Sequence, residues 1–260
     1  MTHASPTLSA IVITRNEAHN LHDCLQSMHG LVDEIIVVDS QSTDHTVAIA
    51  QQHGAKVSQP ADWPGFGLQK NRALDLATCD WVLSIDADER ITPALSAEIK
   101  RVLQASDVDV AYKLPRLSSY CGKLIHHAGW QPDHVLRLFK RGKARFSDDL
   151  VHERVVTAQN VVALQNHLLH FSYLDFSQVL SKVNVYSSAS AQQAYAHGKR
   201  SSVVGALGHG AWAFFRTYVL RAGFLDGAHG LALSISNAET SYYKYLKLWH
   251  IQQAQAATVK

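Results

Sequence analysis

The chain has 260 residues, of which 47% are hydrophobic and 18% are charged. That length fits one large domain or two small ones, and the composition excludes a disordered tail and a fibrous repeat. The formal net charge of +2 argues against a dedicated nucleic-acid binder. The charge is unevenly divided, because residues 1–198 carry −3 and residues 199–260 carry +5.

The cysteines and the apolar runs bear on where the protein resides. Cys24, Cys79 and Cys121 are widely spaced and odd in number, which fits neither a disulfide framework nor a zinc pattern and favours a reducing compartment. The N-terminal segment lacks the features of a signal peptide. The stretch Val203–Phe215 has 13 residues, too few to span a bilayer about 30 Å thick. We therefore expect a cytoplasmic protein.

The first 115 residues alternate predicted strands and helices. Apolar, β-branched runs predict strands at Leu8–Thr14, Glu34–Asp39, Ala55–Ser58 and Trp81–Asp86. Caps and helical spacing predict four helices: one with Asn16 near its N-cap, one from Thr46 to about His53 that Asp44 can cap, one over Leu68–Ala77, and one that starts at Thr92. This order predicts a parallel sheet with helices on both faces, whose ligands bind beyond the carboxyl ends of the strands.

From residue 108 the pattern changes to an α+β region with longer connections. Further strands are predicted at 108–116, His134–Lys140 and Asn160–Phe171, and further helices at about 175–197, 202–221 and 231–250. The last two helices fall in the basic segment.

The carboxylates of Asp86-Ala87-Asp88-Glu89 are the strongest candidate site, because they follow the fourth predicted strand directly. Packed like charges repel, so at least one carboxyl would take up a proton unless a cation sits between them. A Mg²⁺ or Mn²⁺ ion would supply that charge and could bridge a substrate pyrophosphate. The alternative is a solvated acidic turn before the next helix.

Asp39 ends the second predicted strand, in the segment IIVVDSQSTDHT. A carboxylate in that position can accept hydrogen bonds from a ribose hydroxyl or a base N–H, and the alternative is a helix-capping turn. Neither G-x-G-x-x-G nor G-x-x-x-x-G-K-[ST] occurs in the sequence, so neither a dinucleotide fold nor a P-loop is supported.

Four segments, TRNEAHNL, IIVVDSQSTDHT, GFGLQKNRAL and WVLSIDADE, resemble in order and spacing the nucleotide-sugar domain of family-2 inverting glycosyltransferases. Later segments, GWQPDHVLRLFKRGKARF, LVHERV and DGAHGLALSISNAETSYYKYLKLWH, resemble bacterial lipopolysaccharide core β-1,4-glucosyltransferases. The resemblance implies an α/β fold of the GT-A type, with a mostly parallel central sheet and a C-terminal helical tail. We expect a catalytic domain over 1–198, with a nucleotide-binding half at about 7–115 and an acceptor half at about 116–198, and a basic amphipathic tail over 199–260.

The resemblance also implies roles for matching positions. Those assigned to the nucleotide-sugar are Thr14, Arg15, Glu17, Asp39, Lys70, Asn71 and Asp86. Asp39 would contact the uridine, and Asp86 would face the ribose or the metal. Asp88 would be the principal ligand of a divalent Mg²⁺ or Mn²⁺ ion. Arg137 is a candidate partner of the pyrophosphate, because arginine forms bidentate pairs with phosphate.

The family mechanism is a single displacement at the sugar C1, in which a protein carboxylate removes the proton of the acceptor hydroxyl and a metal stabilises the departing diphosphate. Candidate bases are Asp148, Asp149 and Glu153 in FSDDLVHERV. We favour Glu153 and keep Asp149 as a second catalytic candidate. His152 is a candidate third metal ligand, and the alternatives are an acceptor contact or a structural residue.

The tail interleaves aromatic and basic side chains, as in YYKYLKLWH, which suits an interfacial helix on an anionic membrane. The alternative is a pair of ordinary helices that pack on the catalytic domain or form a homodimer contact.

These observations predict a metal-dependent inverting glycosyltransferase that moves a hexose, with glucose as the candidate, from a UDP-sugar to a sugar hydroxyl. The acceptor would be a lipid-anchored glycan such as a lipopolysaccharide core, at the inner face of the bacterial inner membrane, with no nucleic-acid partner. Transfer to a polyprenyl phosphate is the nearest alternative, and it needs no base. A nucleotidyltransferase is disfavoured because its glycine-rich N-terminal loop is absent. A non-catalytic sugar-nucleotide-binding scaffold is the remaining alternative.

Overall fold

The computed structural model describes residues 5–105, 109–148 and 153–258. The chain divides into two compact units, one of Met1–Arg116 with Asp133–His170, the other of Leu117–Pro132 with Phe171–Lys260. Each unit is described by itself. The expected division at residue 198, between a catalytic domain and a tail, stays a prediction.

The elements alternate through the first part of the chain and become mostly helical in the last part. The strands are β1 Leu8–Thr14, β2 Glu34–Asp39, β3 Lys56–Ser58, β4 Trp81–Ser84, β5 Glu89–Ile91, β6 Val110–Tyr120, β7 Lys123–Leu124, β8 His134–Lys140, β9 Ala144–Phe146, β10 Val155–Thr157, β11 Asn160–Ala163 and β12 Leu168–Tyr173. The helices are α1 Ala18–Ser27, α2 Thr46–Gln52, α3 Phe66–Leu76, α4 Pro93–Ala105, α5 Phe176–Ala196, α6 Val203–Phe215 and α7 Gly227–Thr258. A π-helical turn over Arg216–Leu220 and a 3₁₀ turn over Gly223–Asp226 lie between α6 and α7.

The central sheet confirms the predicted α/β fold. Its order is β3-β2-β1-β4-β8-β6-β12-β5; β3, β2, β1 and β4 run parallel, and β8 is antiparallel to both β4 and β6. Successive side chains of a strand point to opposite faces. Accordingly, Val37 packs in the core that contains Leu21 of α1 and Leu95 of α4, whereas Ile36 packs in the core that contains Leu74 of α3. Helices therefore cover both faces.

Glu34, the first residue of β2, ties three neighbouring segments to the sheet. Its carboxylate accepts hydrogen bonds from Ser9 Oγ at 2.5 Å, from Lys56 Nζ at 2.5 Å and from the backbone N–H of Thr78 at 2.9 Å. Burial raises the pKa of this carboxyl, but the donors outweigh burial and lower the pKa to about 2. Glu34 is thus a charged structural residue at the edge of the core.

Asn16 lies near the N-cap of α1, as expected, since the N-cap is Glu17 and Asn16 precedes it with a positive φ of 56°. The structure corrects three local expectations. The fourth strand ends at Ser84 instead of Asp86. The expected strand Asn160–Phe171 is two strands, β11 and β12, which pair with β6 and β5 respectively. Asp44 is not the N-cap of α2, because His45 holds that position; the Asp44 carboxylate accepts the N–H of Thr46, the first residue of the helix, at 3.0 Å.

The second unit is built mainly from α5, α6 and α7, in which α7 packs against both of the others. Two of these helices have side-chain N-caps. Asp175 accepts the N–H of Gln178 before α5, and Ser202 accepts the N–H of Gly205 before α6. Among the helices of the described residues, none is long and apolar enough to cross a membrane.

Candidate active site

Asp86, two residues past the end of β4, lies between two cations of the first unit. Lys70 Nζ is 2.9 Å from Asp86 Oδ1, and Arg137 Nη2 donates to Asp86 Oδ2. Burial disfavours the charged form of Asp86, but Arg137 and Lys70 outweigh burial and hold the pKa of Asp86 well below its usual range. Part of the positive charge that the acidic segment requires is therefore supplied by the chain itself.

Arg137, on β8, also binds Glu89 at the start of β5. Its Nη2 is 2.7 Å from Glu89 Oε1, while Glu89 Oε2 accepts the backbone N–H of Asp86 at 2.9 Å. Burial raises the pKa of Glu89, and the charge of Arg137 offsets this only in part. Within the described ranges, Arg137 Nε is buried and has no hydrogen-bond partner. An acceptor oxygen on a ligand would satisfy this donor.

Lys70, on α3, joins Asp86 to the candidate base Glu153. Its side chain is only 6% exposed, and Nζ lies 2.9 Å from Glu153 Oε1. Gly67, in the first turn of α3, makes this approach possible, because a Cβ there would lie 1.9 Å from the carbonyl oxygen of Ser147. Glycine is thus required where α3 meets the segment that leads to Glu153.

Asp88 has a different partner from Asp86. His170 Nε2, on β12, is 3.2 Å from Asp88 Oδ2, and both side chains are partly exposed. The pairing of β12 with β5 places His170 opposite Glu89. His170 belongs to none of the predicted site motifs, and in the sequence it is one histidine among sixteen. The structure thus adds a residue to the predicted site.

Glu17 lies close enough to Asp88 for their charges to interact. Burial raises the pKa of Glu17, and the charge of Asp88 adds to the rise, against the hydrogen bond that Asn20 Nδ2 donates at 3.0 Å. Two carboxylates in one partly buried region are a natural position for a cation.

Asp39 is fully buried at the end of β2. Its carboxylate accepts hydrogen bonds from Thr14 Oγ1 at 2.9 Å, from the N–H of Ser42 at 2.9 Å and from Gln59 Nε2 at 3.2 Å. Asp39 and Thr14 are register neighbours in the parallel pair β1–β2. The structure thus places both residues at one strand end, and the uridine contact stays a prediction.

Asn71 and Arg15 contribute differently to this region. The Asn71 amide donates to the Phe146 carbonyl and accepts the Phe146 N–H, both at 2.9 Å, so it fastens β9 to α3. Arg15 is exposed after β1. Their roles in nucleotide binding stay predictions.

Two predicted site residues, Asp149 and His152, lie outside the described residues. In the part of the chain that the structure describes, no group of three or more His, Cys, Asp or Glu side chains is arranged to hold a metal ion. The network that the structure does bring together is Lys70, Asp86, Glu89, Arg137 and Glu153, on segments far apart in sequence.

Comparisons with known proteins agree with this fold. The family model described as "Glycosyl transferase family 2" matches residues 9–159. An uncharacterized glycosyltransferase of Rickettsia felis is 33% identical over 258 residues, which cover 93% of this chain and 89% of that protein. The Rhizobium meliloti lipopolysaccharide core biosynthesis glycosyltransferase LpsC is 32% identical over 253 residues, which cover 93% of this chain and 92% of LpsC.

Among solved structures, glucosyl-3-phosphoglycerate synthase from Mycobacterium tuberculosis, crystallised with Mn²⁺, UDP and glucosyl-3-phosphoglycerate, is 28% identical over 44% of each chain, with a TM-score of 0.37. The sheet, the carboxylates at its strand ends and the sequence matches define an enzyme of the GT-A-type fold that transfers a glycosyl group. The chain belongs to glycosyl transferase family 2.

Proposed function

We propose that this glycosyltransferase moves a hexose from a UDP-sugar to a sugar hydroxyl of a lipopolysaccharide core or a similar glycan, with the help of a divalent metal ion. The observation that carries the proposal is the network that joins Asp86 to Lys70, Arg137 and Glu153, next to Asp88 and His170. The similarity to LpsC over nearly the whole of both chains supports the acceptor class.

The residues around Asp88 fit a metal ion with few protein ligands. Mg²⁺ commonly binds to one or two carboxylates and to substrate phosphates, and keeps several waters. Asp88 and His170 offer an oxygen and a nitrogen donor 3.2 Å apart, whereas the Asp86 oxygens are engaged by Lys70 and Arg137. Asp88 is therefore the principal metal ligand in this proposal, and His170 is the adjacent one. The bound metal would neutralise charge on the departing diphosphate.

Glu153 is the proposed base for the acceptor hydroxyl. Its side chain is 17% exposed, and Lys70 engages Oε1, so Oε2 is the oxygen to accept the proton. Lys70 fixes the position of this carboxylate and links it to the acidic segment through Asp86. A general base must be held within hydrogen-bond reach of the proton that it removes, and this salt bridge provides the anchor.

A donor screen tests the proposal. The purified chain is incubated with Mn²⁺ or Mg²⁺ and a panel of UDP-, GDP- and ADP-sugars, and release of the nucleotide is measured. We expect turnover with a UDP-sugar and at least a hundredfold loss in Asp88→Ala. Asp75→Ala is the matched control, because Asp75 pairs with Arg145 on the surface. Exclusive use of GDP-mannose would overturn the UDP assignment, and full activity of Asp88→Ala would overturn the metal site.

Transfer to a polyprenyl phosphate is the second candidate function. The salt bridge between Lys70 and Glu153 favours it, because a carboxylate already paired with an ammonium group is a weaker base. A phosphate acceptor is ionised and needs no base. Glu153→Gln should therefore keep most activity if the acceptor is a phosphate, and should lose at least a hundredfold if the acceptor is a sugar hydroxyl.

We also propose that the second unit contacts the inner face of a membrane. The segment from α6 to the 3₁₀ turn exposes large apolar side chains, with Val204 79%, Leu207 57%, Leu220 60% and Leu225 59% exposed. Residues 176–225 contain no Asp or Glu. Exposed apolar side chains next to Arg and Lys suit an anionic lipid surface, where each basic residue adds about 1 kcal/mol.

Vesicle flotation with the full chain tests this contact. Leu220→Ser with Leu225→Ser should reduce flotation with phosphatidylglycerol vesicles at least fivefold. Val156→Ser, which removes an apolar side chain 58% exposed on β10, should leave flotation unchanged. Equal flotation of all variants, or none for the unaltered chain, would refute the contact.

A further inference from the structure

The second unit contains a cavity of about 610 Å³ that is lined only by residues of that unit. Its walls are the loop of residues 128–130, the C-terminal half of α6 with the π-helical turn, and the middle of α7. π-helical turns are rare and occur frequently at functional sites. None of the residues assigned above to sugar transfer lines this cavity.

The cavity is positively charged. Arg216, Arg221 and Lys244 line it, and no Asp or Glu does. In the described part of the chain, none of these three side chains has a carboxylate within ion-pair distance. The only acidic residues of the unit are Asp175, Asp226 and Glu239. Clustered cations without carboxylates attract an anion, and arginine in particular forms bidentate hydrogen bonds with phosphate.

The loop that forms one wall is fixed by hydrogen bonds. The buried carboxylate of Asp226 accepts the backbone N–H groups of His126 at 3.2 Å and His127 at 2.9 Å, and the Ala128 N–H donates to the Arg221 carbonyl at 2.8 Å. The Arg221 side chain also packs on Gly129, where a Cβ would lie 2.4 Å from Nη1. The guanidinium is thus held at the cavity edge before any ligand arrives.

Aromatic rings lie beside these cations. Trp212 lines the cavity and is 54% exposed, and His209 stacks on Tyr245 with ring centroids 3.6 Å apart. Thr240 and Ser241 add hydroxyl groups to the same wall. A flat aromatic face next to hydroxyls and cations suits a carbohydrate ring that carries an anionic group.

We propose that this cavity binds a phosphorylated sugar, with the phosphate on Arg216, Arg221 and Lys244 and the sugar ring against Trp212. Such a group belongs either to a soluble sugar phosphate or to the phosphorylated head of a glycolipid. This site is separate from the proposed transfer reaction, so either can fail without the other.

Calorimetric titration of the full chain with glucose 6-phosphate tests the site, with inorganic phosphate and glucose as comparison probes. Glucose 6-phosphate should bind more tightly than either probe. Arg221→Gln with Lys244→Gln should weaken it at least tenfold, and Trp212→Ala should lower its affinity towards that of phosphate. Lys199→Gln is the control, because it removes one lysine charge from the unit outside the cavity and should bind normally. Circular dichroism checks that each variant is folded.

Three results would overturn the proposal. These are no binding of glucose 6-phosphate, equal binding by the double variant, and equal affinity for inorganic phosphate. Asp88→Ala should retain binding, because that residue belongs to the first unit, and loss of binding in Asp88→Ala would assign the ligand to the transfer site instead. Flotation then identifies the source. If the ligand is a lipid head group, the variant Arg221→Gln with Lys244→Gln should no longer float with vesicles that contain a phosphorylated glycolipid. If the ligand is soluble, this variant should float with those vesicles as the unaltered chain does.

Discussion

Replacing Lys70 by methionine should destabilise the protein in a way that depends on pH. Lys70 Nζ is 2.9 Å from an oxygen of Asp86 and 2.9 Å from an oxygen of Glu153, and its side chain is 6% exposed. Removing one partner of a buried ion pair costs about 3–5 kcal/mol. Asp86 keeps Arg137 and the two carboxylates are partly exposed, so we expect a loss near the lower end, about 3 kcal/mol at pH 8.

The pH dependence follows from the carboxylates that remain. Arg137 and Lys70 together hold the pKa of Asp86 well below its usual range, so without Lys70 the pKa of Asp86 in the folded variant should be higher. The stabilisation that Lys70 gives through Asp86 is present above the pKa of an unfolded aspartate, about 3.9, and is lost as the pH falls below it. The difference in unfolding free energy from the unaltered chain should therefore be larger at pH 8 than at pH 3.

Urea unfolding at pH 3 and pH 8 measures this difference. Lys70→Met with Glu153→Gln should recover most of the loss at pH 8, since no uncompensated carboxylate is left beside Asp86. Lys100→Met, an exposed lysine on α4, should stay within about 0.5 kcal/mol of the unaltered chain. A loss that is equal at both pH values, or a double variant as unstable as the single one, would refute the reasoning.

Three further predictions concern other positions. Because the pKa of Glu34 is lowered to about 2, the charged Glu34 carboxylate stabilises the folded protein fully above about pH 4.5, and this contribution is lost as the pH falls towards 2. Glu34→Gln should thus cost about 3 kcal/mol in urea unfolding at pH 7 and little at pH 2; a difference independent of pH would contradict this. Gly67→Ala should lower the thermal midpoint and the transferase activity, since its Cβ meets the Ser147 carbonyl, while Gly208→Ala, with nothing within 4 Å, should not lower the midpoint. His170→Ala should weaken Mn²⁺ binding in the presence of UDP at least tenfold in calorimetry; unchanged affinity would exclude it as a ligand.

The sequence predicted the parallel half of the sheet because local patterns determine it. Buried β-branched runs followed by capped helices reappear as β1 to β4 and their helices, with Leu8–Thr14 and Glu34–Asp39 reproduced to the residue. Asn16 was expected near the N-cap of α1 and lies one residue before it, in the left-handed conformation that asparagine tolerates. The break between β11 and β12 was missed because residues 160–171 are apolar enough to suggest one strand.

The partners within the site could not be predicted, because they depend on pairings between distant segments. Asp86 and Asp88 are separated by one residue and follow a predicted strand, so the sequence alone identified both as candidates. Their partners differ, however. Asp86 pairs with Lys70 because of the packing of α3, and Asp88 pairs with His170 because β12 lies antiparallel to β5. No local pattern distinguishes His170 from the other histidines.

The cations of the first unit change the expected work of a metal ion. The acidic segment alone suggested that a metal must hold the carboxylates together, but Lys70 and Arg137 already neutralise Asp86. In the proposed reaction, the metal would then be needed for the diphosphate and little for folding. Treatment with EDTA should therefore abolish transfer while it shifts the thermal midpoint by less than about 2 °C, which for a chain of this size is below about 1 kcal/mol. A much larger fall in the midpoint, restored by Mn²⁺, would show that the metal is structural and that the protein's own cations do not suffice.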